Sequence, residues 1–292
     1  MHPGLRKPSR LLPLLALSAL LAAAVPGAAN ASTTVRYVSL GDSYTAGPVI
    51  PDPTGVPLGC LRSTHNYPTL TSPVIGASSF TDISCSGATT VNMTQPQPVT
   101  LGTNPPQLSA LSASTTVVTL GIGGNDIGFS SIISTCTRMS VTDPLGDPCA
   151  DHYTAGGTDQ IAAAISATGP KVATVLTEIH ADSPNARVFV VGYPDLLPNT
   201  GDGCFPIQPI AFGDVPFLRG EEKNLNHMLS NEAAANAAVY VDTYTPTIGH
   251  DSCTPPGTRW IEGEVPASLA APWHPNALGE KAMATAVEKA IG

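Results

Sequence analysis

Five short apolar runs punctuate the chain: Val35 to Leu40, Phe80 to Ser84, Thr115 to Leu120, Arg187 to Val191 and Ala238 to Asp242. They are rich in β-branched and aromatic residues and bounded by turn-forming residues, so they read as strands. Longer segments carry a helical period: Gln160 to Ala167, Lys171 to Ala181, Pro216 to Asn236 and Asn276 to Ala290. In the second of these, Val172, Val175, Leu176 and Ile179 recur at three- and four-residue steps and mark one apolar face. Strands alternating with helices predict an α/β fold, a parallel sheet covered by helices on both faces. Gly169-Pro170 is expected to divide a helical hairpin or kink a long helix. Gly47 to Gly59, Met93 to Gln107 and Thr135 to Gly157 read as loops, and loops of that length in a compact domain usually serve a site.

The start of the chain belongs to a different pattern. Arg6, Lys7 and Arg10 precede the apolar stretch Leu11 to Val25, and Ala29-Asn30-Ala31 supplies small residues for cleavage, which together predict a secretory signal peptide over residues 1–31. The apolar stretch of 15 residues is shorter than the roughly 20 that span a bilayer, and no later stretch is long and apolar enough, so no integral membrane segment is expected after cleavage. Residues 32–292 then form one domain, expected as a secreted, extracellular monomer.

Export changes the meaning of the six cysteines. In an oxidising compartment an even count favours three disulfides. Of the 15 pairings that six cysteines allow, the sequential one is expected because short loops close most readily: Cys60 with Cys85, Cys136 with Cys149, and Cys204 with Cys253. The nearest cysteines are 13 residues apart, too far for the close pairs of a zinc site, so neither a metal nor a cofactor is expected. Loss of the leader removes three positive charges from a chain of net charge −9 and leaves −12, which argues against nucleic acid as a partner.

The candidate chemistry sits where the predicted strands end. Gly41-Asp42-Ser43-Tyr44 follows Val35 to Leu40, which places Ser43 on a loop outside the carboxyl end of a strand, where open α/β sheets hold ligands. A serine hydroxyl needs a neighbouring base to become a nucleophile. Among the seven histidines, His274 stands out, held between Trp273 and Pro275 just ahead of an amphipathic helix. A tetrahedral intermediate also needs donors for its oxyanion. Gly121-Ile122-Gly123-Gly124-Asn125-Asp126 and Ser86-Gly87-Ala88 each follow a predicted strand and could supply them. Taken singly, each of these segments is equally an ordinary turn or helix cap.

Taken in order, Gly-Asp-Ser-Tyr at 41 to 44, Gly87, Gly-Gly-Asn-Asp at 123 to 126 and His-Pro-Asn at 274 to 276 resemble the SGNH, or GDSL, hydrolases across nearly the whole expected mature chain. The cysteines and the Trp-His-Pro-Asn ending look most like the secreted actinobacterial lipases, esterases and phospholipases A1 of that family. The resemblance implies a flavodoxin-like three-layer α/β/α sandwich with a mostly parallel five-stranded sheet. It also implies Ser43 as nucleophile, His274 as general base, and an oxyanion hole formed by Ser43 N–H, Gly87 N–H and Asn125 Nδ2. Many members carry an aspartate three residues before the histidine, where this chain has Ala271. The Ala271 backbone carbonyl is the expected replacement, with Asp251, Glu262 and Glu264 as alternative carboxylates. The expected activity is hydrolysis of acyl esters or lipids. The competing readings are a carbohydrate acetyl esterase, disfavoured by an aromatic content of only 5%, and a non-catalytic binding protein of the same fold.

Overall fold

Strand β1, Arg36–Gly41, is exposed only at its first residue and buried along the rest, as a central strand covered on both faces must be. The structure, a computed structural model, describes residues 34–292 and, before them, only residues 1, 3–5 and 9. The expected leader and its cleavage point after Ala31 therefore lie outside the described stretch.

Four more strands join β1: β2 (Ser79–Asp82), β3 (Val117–Gly121), β4 (Arg187–Val191) and β5 (Val239–Val241). They form one parallel sheet in the order β2-β1-β3-β4-β5. Residues alternate between its faces. Val38, Leu40, Val118, Leu120, Val188 and Val190 face one core, shared with α3 (Phe129–Ser140), α5 (Gln160–Asp182) and α6 (Asp214–Ala235). Tyr37, Val117, Phe189, Val191 and Val241 face the other, shared with α2 (Tyr67–Val74) and α7 (Ala277–Ile291). The result is the expected three-layer α/β/α sandwich. Among the described residues no helix is long and apolar enough to cross a membrane.

The strand order reverses direction at β1 and β3, and open α/β sheets leave a crevice beyond the carboxyl ends of such strands. α1, a single turn over Ser43–Ala46, follows β1 at that crevice, and the loop of residues 122–128 follows β3.

Of the two alternatives for Gly169-Pro170 the divided hairpin is excluded, and one expected loop is corrected. α5 is one long helix from Gln160 to Asp182 with Pro170 inside it. A Cβ at Gly169 would lie 2.9 Å from Glu232 Oε1 of α6, so the missing side chain is what lets the two helices lie close, and packing along α6 outweighs the local cost of the proline. Most of Thr135 to Gly157 is helical, not loop: it holds the end of α3 and α4 (Pro148–Thr154). Cys136–Cys149 joins these two helices, Cys60–Cys85 ties the loop after β1 to the end of β2, and Cys204–Cys253 closes the third expected pair.

Candidate active site

At the end of β1 the chain turns within a space that only glycine fits. A Cβ on Gly41 would overlap Thr45 Oγ1 and lie 2.6 Å from the Gly121 carbonyl. That close approach is used: Asp42 N–H donates to the Gly121 carbonyl (2.9 Å), latching the tip of β1 to the tip of β3. The buried Gln107 side chain clamps the same glycine, accepting from Gly41 N–H (2.7 Å) and donating to its carbonyl (2.9 Å). Asp42 then caps α1 by accepting from Tyr44 N–H (2.9 Å). Ser43 is thereby fixed as the first residue of the turn, with its N–H among the amides that have no acceptor inside the helix.

His274 reaches Ser43 from the other end of the chain, with Nε2 2.7 Å from Ser43 Oγ. Its Nδ1 lies 2.7 Å from the carbonyl of Pro272. A carbonyl only accepts, so the proton sits on Nδ1, and Nε2 is left with the lone pair that accepts from the serine hydroxyl. Tyr44 supports this placement, its ring stacked on the imidazole at 4.7 Å and its hydroxyl donating to the Trp273 carbonyl (2.5 Å). Burial lowers the pKa of His274 below its usual value, partly opposed by the Pro272 carbonyl, which favours the imidazolium.

The expectation that Ala271 orients the histidine is corrected here. Trp273 adopts a left-handed backbone, φ 62°, and this folds the chain back so that the carbonyl two residues before His274, rather than three, meets Nδ1. The Ala271 carbonyl instead accepts the backbone N–H of His274 (3.2 Å). The alternative carboxylates are engaged elsewhere. Asp251 accepts from Cys253 N–H (2.8 Å) and Glu264 from Trp273 Nε1 (2.7 Å). Glu262 accepts from Asn276 Nδ2 (2.8 Å) and Ala267 N–H (2.7 Å) beside Arg259; burial pushes its carboxyl up, and these donors outweigh that and hold it below the usual range.

The loop after β3 is tied to both neighbours. Asn125 Nδ2 donates to the Ala88 carbonyl (2.9 Å), and Asp126 accepts from Thr90 N–H (2.9 Å) and Oγ1 (2.5 Å). A primary amide has two N–H bonds, so Asn125 keeps one donor beyond that to Ala88. Gly87, exposed and at φ 79°, directly precedes Ala88, and its N–H has no acceptor among the described residues. Ser86 N–H donates to the Cys60 carbonyl (3.0 Å), so the Cys60–Cys85 disulfide fixes this turn as well.

Sequence reasoning missed Tyr193. Its hydroxyl donates to Asp42 Oδ2 (2.6 Å) and accepts from Gly124 N–H (2.7 Å), and so joins the serine loop to the loop that carries Asn125. Gly124 permits it, since a Cβ there would lie 3.0 Å from the Tyr193 hydroxyl. Burial pushes Asp42 up to about 7, against the donors Tyr193 and Tyr44. No motif announces Tyr193 in the sequence. Gln107 is likewise hidden in a stretch that reads as loop.

Ser43, Asn125 and His274 line one cavity of about 790 Å³ of empty space, part of it open to solvent. Its walls are mostly apolar, with Ile132, Ile133, Ile161, Leu197, Leu218 and Leu225 on α3, α5, α6 and the loop after β4, joined by the aromatic rings of Phe129, Tyr193 and Trp273. Glu221 and Glu222 also line it, and burial raises both carboxyls, which favours their uncharged forms. Among the described residues no cluster of three or more His, Cys, Asp or Glu is arranged to hold a metal. The arrangement can deliver a serine oxygen, a base and amide donors to a carbonyl carbon whose apolar substituent is sheathed.

Known proteins resemble this chain over most of its length. The model of the GDSL-like lipase/acylhydrolase family matches residues 39–282. The chain is 41% identical to a lipase of Streptomyces coelicolor, Lipase 2, over 95% of this chain and 93% of the relative. Among solved structures it is similar to phospholipase A1 from Streptomyces albidoflavus, with a TM-score of 0.74 and 26% identity over 88% of this chain and 99% of the other. It is also similar to the extracellular lipase of Streptomyces rimosus, with a TM-score of 0.70 and 25% identity over 88% of this chain and 100% of the other.

Proposed function

The chain belongs to the GDSL-like lipase/acylhydrolase family and is a carboxylic-ester hydrolase of the lipase and esterase type; from that premise we propose that it is exported and works through an acyl-enzyme on Ser43. The carrying observation is the relay from the Pro272 carbonyl through His274 to Ser43 Oγ, with both bonds at 2.7 Å, in the lining of a mostly apolar cavity. Ser43 Oγ attacks the ester carbonyl carbon as its proton passes to His274 Nε2. The oxyanion that forms is met by Ser43 N–H, Gly87 N–H and Asn125 Nδ2, which stabilise it more than the ground-state carbonyl. His274 then returns the proton to the departing alcohol oxygen. Water, deprotonated by the same nitrogen, attacks the acyl-serine and releases the carboxylic acid. The Pro272 carbonyl holds the tautomer and steadies the imidazolium, the part an aspartate plays in a triad.

The acyl chain occupies the cavity. Its walls support alkyl rather than sugar recognition, because they are mostly apolar side chains and offer few partners for the many hydrogen bonds a polysaccharide loses from water. Likeness to a phospholipase A1 makes a glycerophospholipid acyl ester a substrate to test beside simple esters. Export is supported by the leader pattern at residues 1–31 and by three disulfides, which persist in oxidising compartments.

The test is a hydrolysis panel of short- and long-chain acyl esters, a phospholipid and acetylated xylan, run on the protein and on Ser43→Ala. Acyl esters or phospholipid should be cleaved by the protein and not by the variant. Near-normal turnover by folded Ser43→Ala would remove the nucleophile from the mechanism, and preference for acetylated xylan would remove the acyl-chain reading.

A further inference from the structure

Among the described residues, three of the five non-glycine positions with positive φ are bulky, apolar and exposed: Val49 (70°), Leu61 (58°) and Leu101 (65°). This backbone region suits Gly, Asn and Asp, and a β-branched residue there is an outlier. Neither solvent exposure nor local conformation therefore favours the residue found.

All three lie on loops tied to the site. Val49 follows Pro48, whose carbonyl accepts from Ala271 N–H (3.0 Å), three residues before His274. Leu61 follows Cys60, whose carbonyl accepts from Ser86 N–H (3.0 Å), beside Gly87. Leu101 is at the turn of a two-stranded ribbon, Gln97–Val99 with Gly102–Asn104, and Gln97 Nε2 donates to the Ser86 carbonyl (2.9 Å). The neighbouring Val56, Leu58 and Leu269 are exposed too. Residues 47–61, 86–104 and 265–273 together contain a single charged residue, Asp52, in a chain that carries 13 Lys and Arg and 22 Asp and Glu.

We infer that these loop tips form a docking ring for an electrically neutral lipid surface, seating the catalytic mouth on aggregated substrate. The occupant follows from charge and place. A ring without basic residues has nothing for anionic headgroups or a polyanion, whereas apolar tips enter the boundary of a zwitterionic layer and gain by burial. The loops that carry the tips are hydrogen-bonded to the segments holding His274 and Gly87, so a surface docked on them lies close to the proposed nucleophile. The inference rests on the hydrolase reading above and names the physical state of that enzyme's substrate.

The test replaces Val49, Leu61 and Leu101 by asparagine together, produced in a bacterial host. Asparagine suits the left-handed backbone, so the variant should fold at least as stably. Binding to phosphatidylcholine vesicles is measured on the full chain carrying Ser43→Ala, with and without the three changes. Hydrolysis of a soluble acetate ester and of dispersed long-chain substrate is measured with Ser43 intact. The expected result is a loss of more than about tenfold in vesicle binding and in dispersed-substrate turnover, with soluble-ester turnover unchanged and no tighter binding when phosphatidylglycerol is added. Equal vesicle binding by the variant would overturn the inference, as would a parallel loss of soluble-ester turnover. Self-association through the ring, abolished by the substitutions, would put a second copy in place of lipid and also overturn it. If the unsubstituted chain cleaves no ester at all, the hydrolase reading fails instead, and vesicle binding still reports on the ring.

Discussion

Tyr193→Phe isolates the joint between the loop of Ser43, the proposed nucleophile, and the loop of Asn125, a proposed oxyanion donor. The change deletes one oxygen and leaves the ring, which packs edge-on to Tyr44 at 5.0 Å. Two bonds go with it: the 2.6 Å donation to Asp42 and the 2.7 Å acceptance from Gly124 N–H. A hydrogen bond to a charged group contributes about 1.5–3 kcal/mol, and a buried N–H left without a partner costs about 1–3 kcal/mol. Because Asp42 is half-protonated near neutrality, with its carboxyl at about 7, the lower part of the first range applies; with about 1–2 kcal/mol for the unpaired Gly124 N–H, a loss of about 3 kcal/mol is expected. For a domain of this size that lowers Tm by roughly 6–12 °C. The catalytic effect should be distinct from the stability effect. Gly124 adjoins Asn125, so a loosened loop misplaces a donor for the oxyanion and lowers kcat while KM stays nearly constant. Urea titration and steady-state kinetics well below the transition measure the two separately. A cycle with Asp42→Asn should show coupling above about 0.5 kcal/mol, since the groups touch. Stability within about 0.5 kcal/mol of the parent, with unchanged kcat, would refute the claim that this hydroxyl holds the two loops in register.

Glu264→Gln, Glu262→Gln and Asp251→Asn should each cost far less than the roughly 10⁴-fold in kcat that follows neutralising a triad aspartate, because the Pro272 carbonyl meets His274 Nδ1; a folded variant losing activity on that scale would restore a carboxylate to the mechanism. Stability should fall as pH rises from about 4 to 7. Burial raises Asp42 to about 7 and Asp195 to about 6, and raises Asp82, Glu222 and Glu280 as well. In that window the folded chain keeps protons that the unfolded chain has released, so unfolding is favoured with increasing pH. His274, lowered by burial, and Glu262, held below its usual range by its donors, work in the opposite direction but are outnumbered. A urea midpoint at about pH 8 equal to or above that at about pH 5 would contradict this balance.

Much of the architecture is local in origin and so was legible in the chain. A buried parallel strand needs a short run of apolar residues whatever its neighbours, and all five runs became strands, Arg187–Val191 with its ends unchanged and the others shifted by one or two residues. α7 begins where Asn276 caps it by accepting from Leu278 N–H (2.9 Å), a signal also carried by residue type alone. α3 was legible too, since Phe129, Ile132, Ile133 and Cys136 fall at helical spacing. α2 offered Asn66 and Pro68 at its start.

The strand ends also located Ser43, Gly87 and Asn125, because a parallel sheet brings its carboxyl edges together regardless of loop detail. What sequence could not decide is which groups meet across loops. Ala271 and Pro272 are adjacent, and only the left-handed turn at Trp273 selects the carbonyl that faces His274. Tyr193 and Gln107 act through partners 151 and 66 residues away, and a hydrogen bond over such a separation leaves no periodicity or spacing to read. Local propensity and burial pattern belong to the chain, whereas the pairing of distant polar groups exists only once packing has closed the space between them.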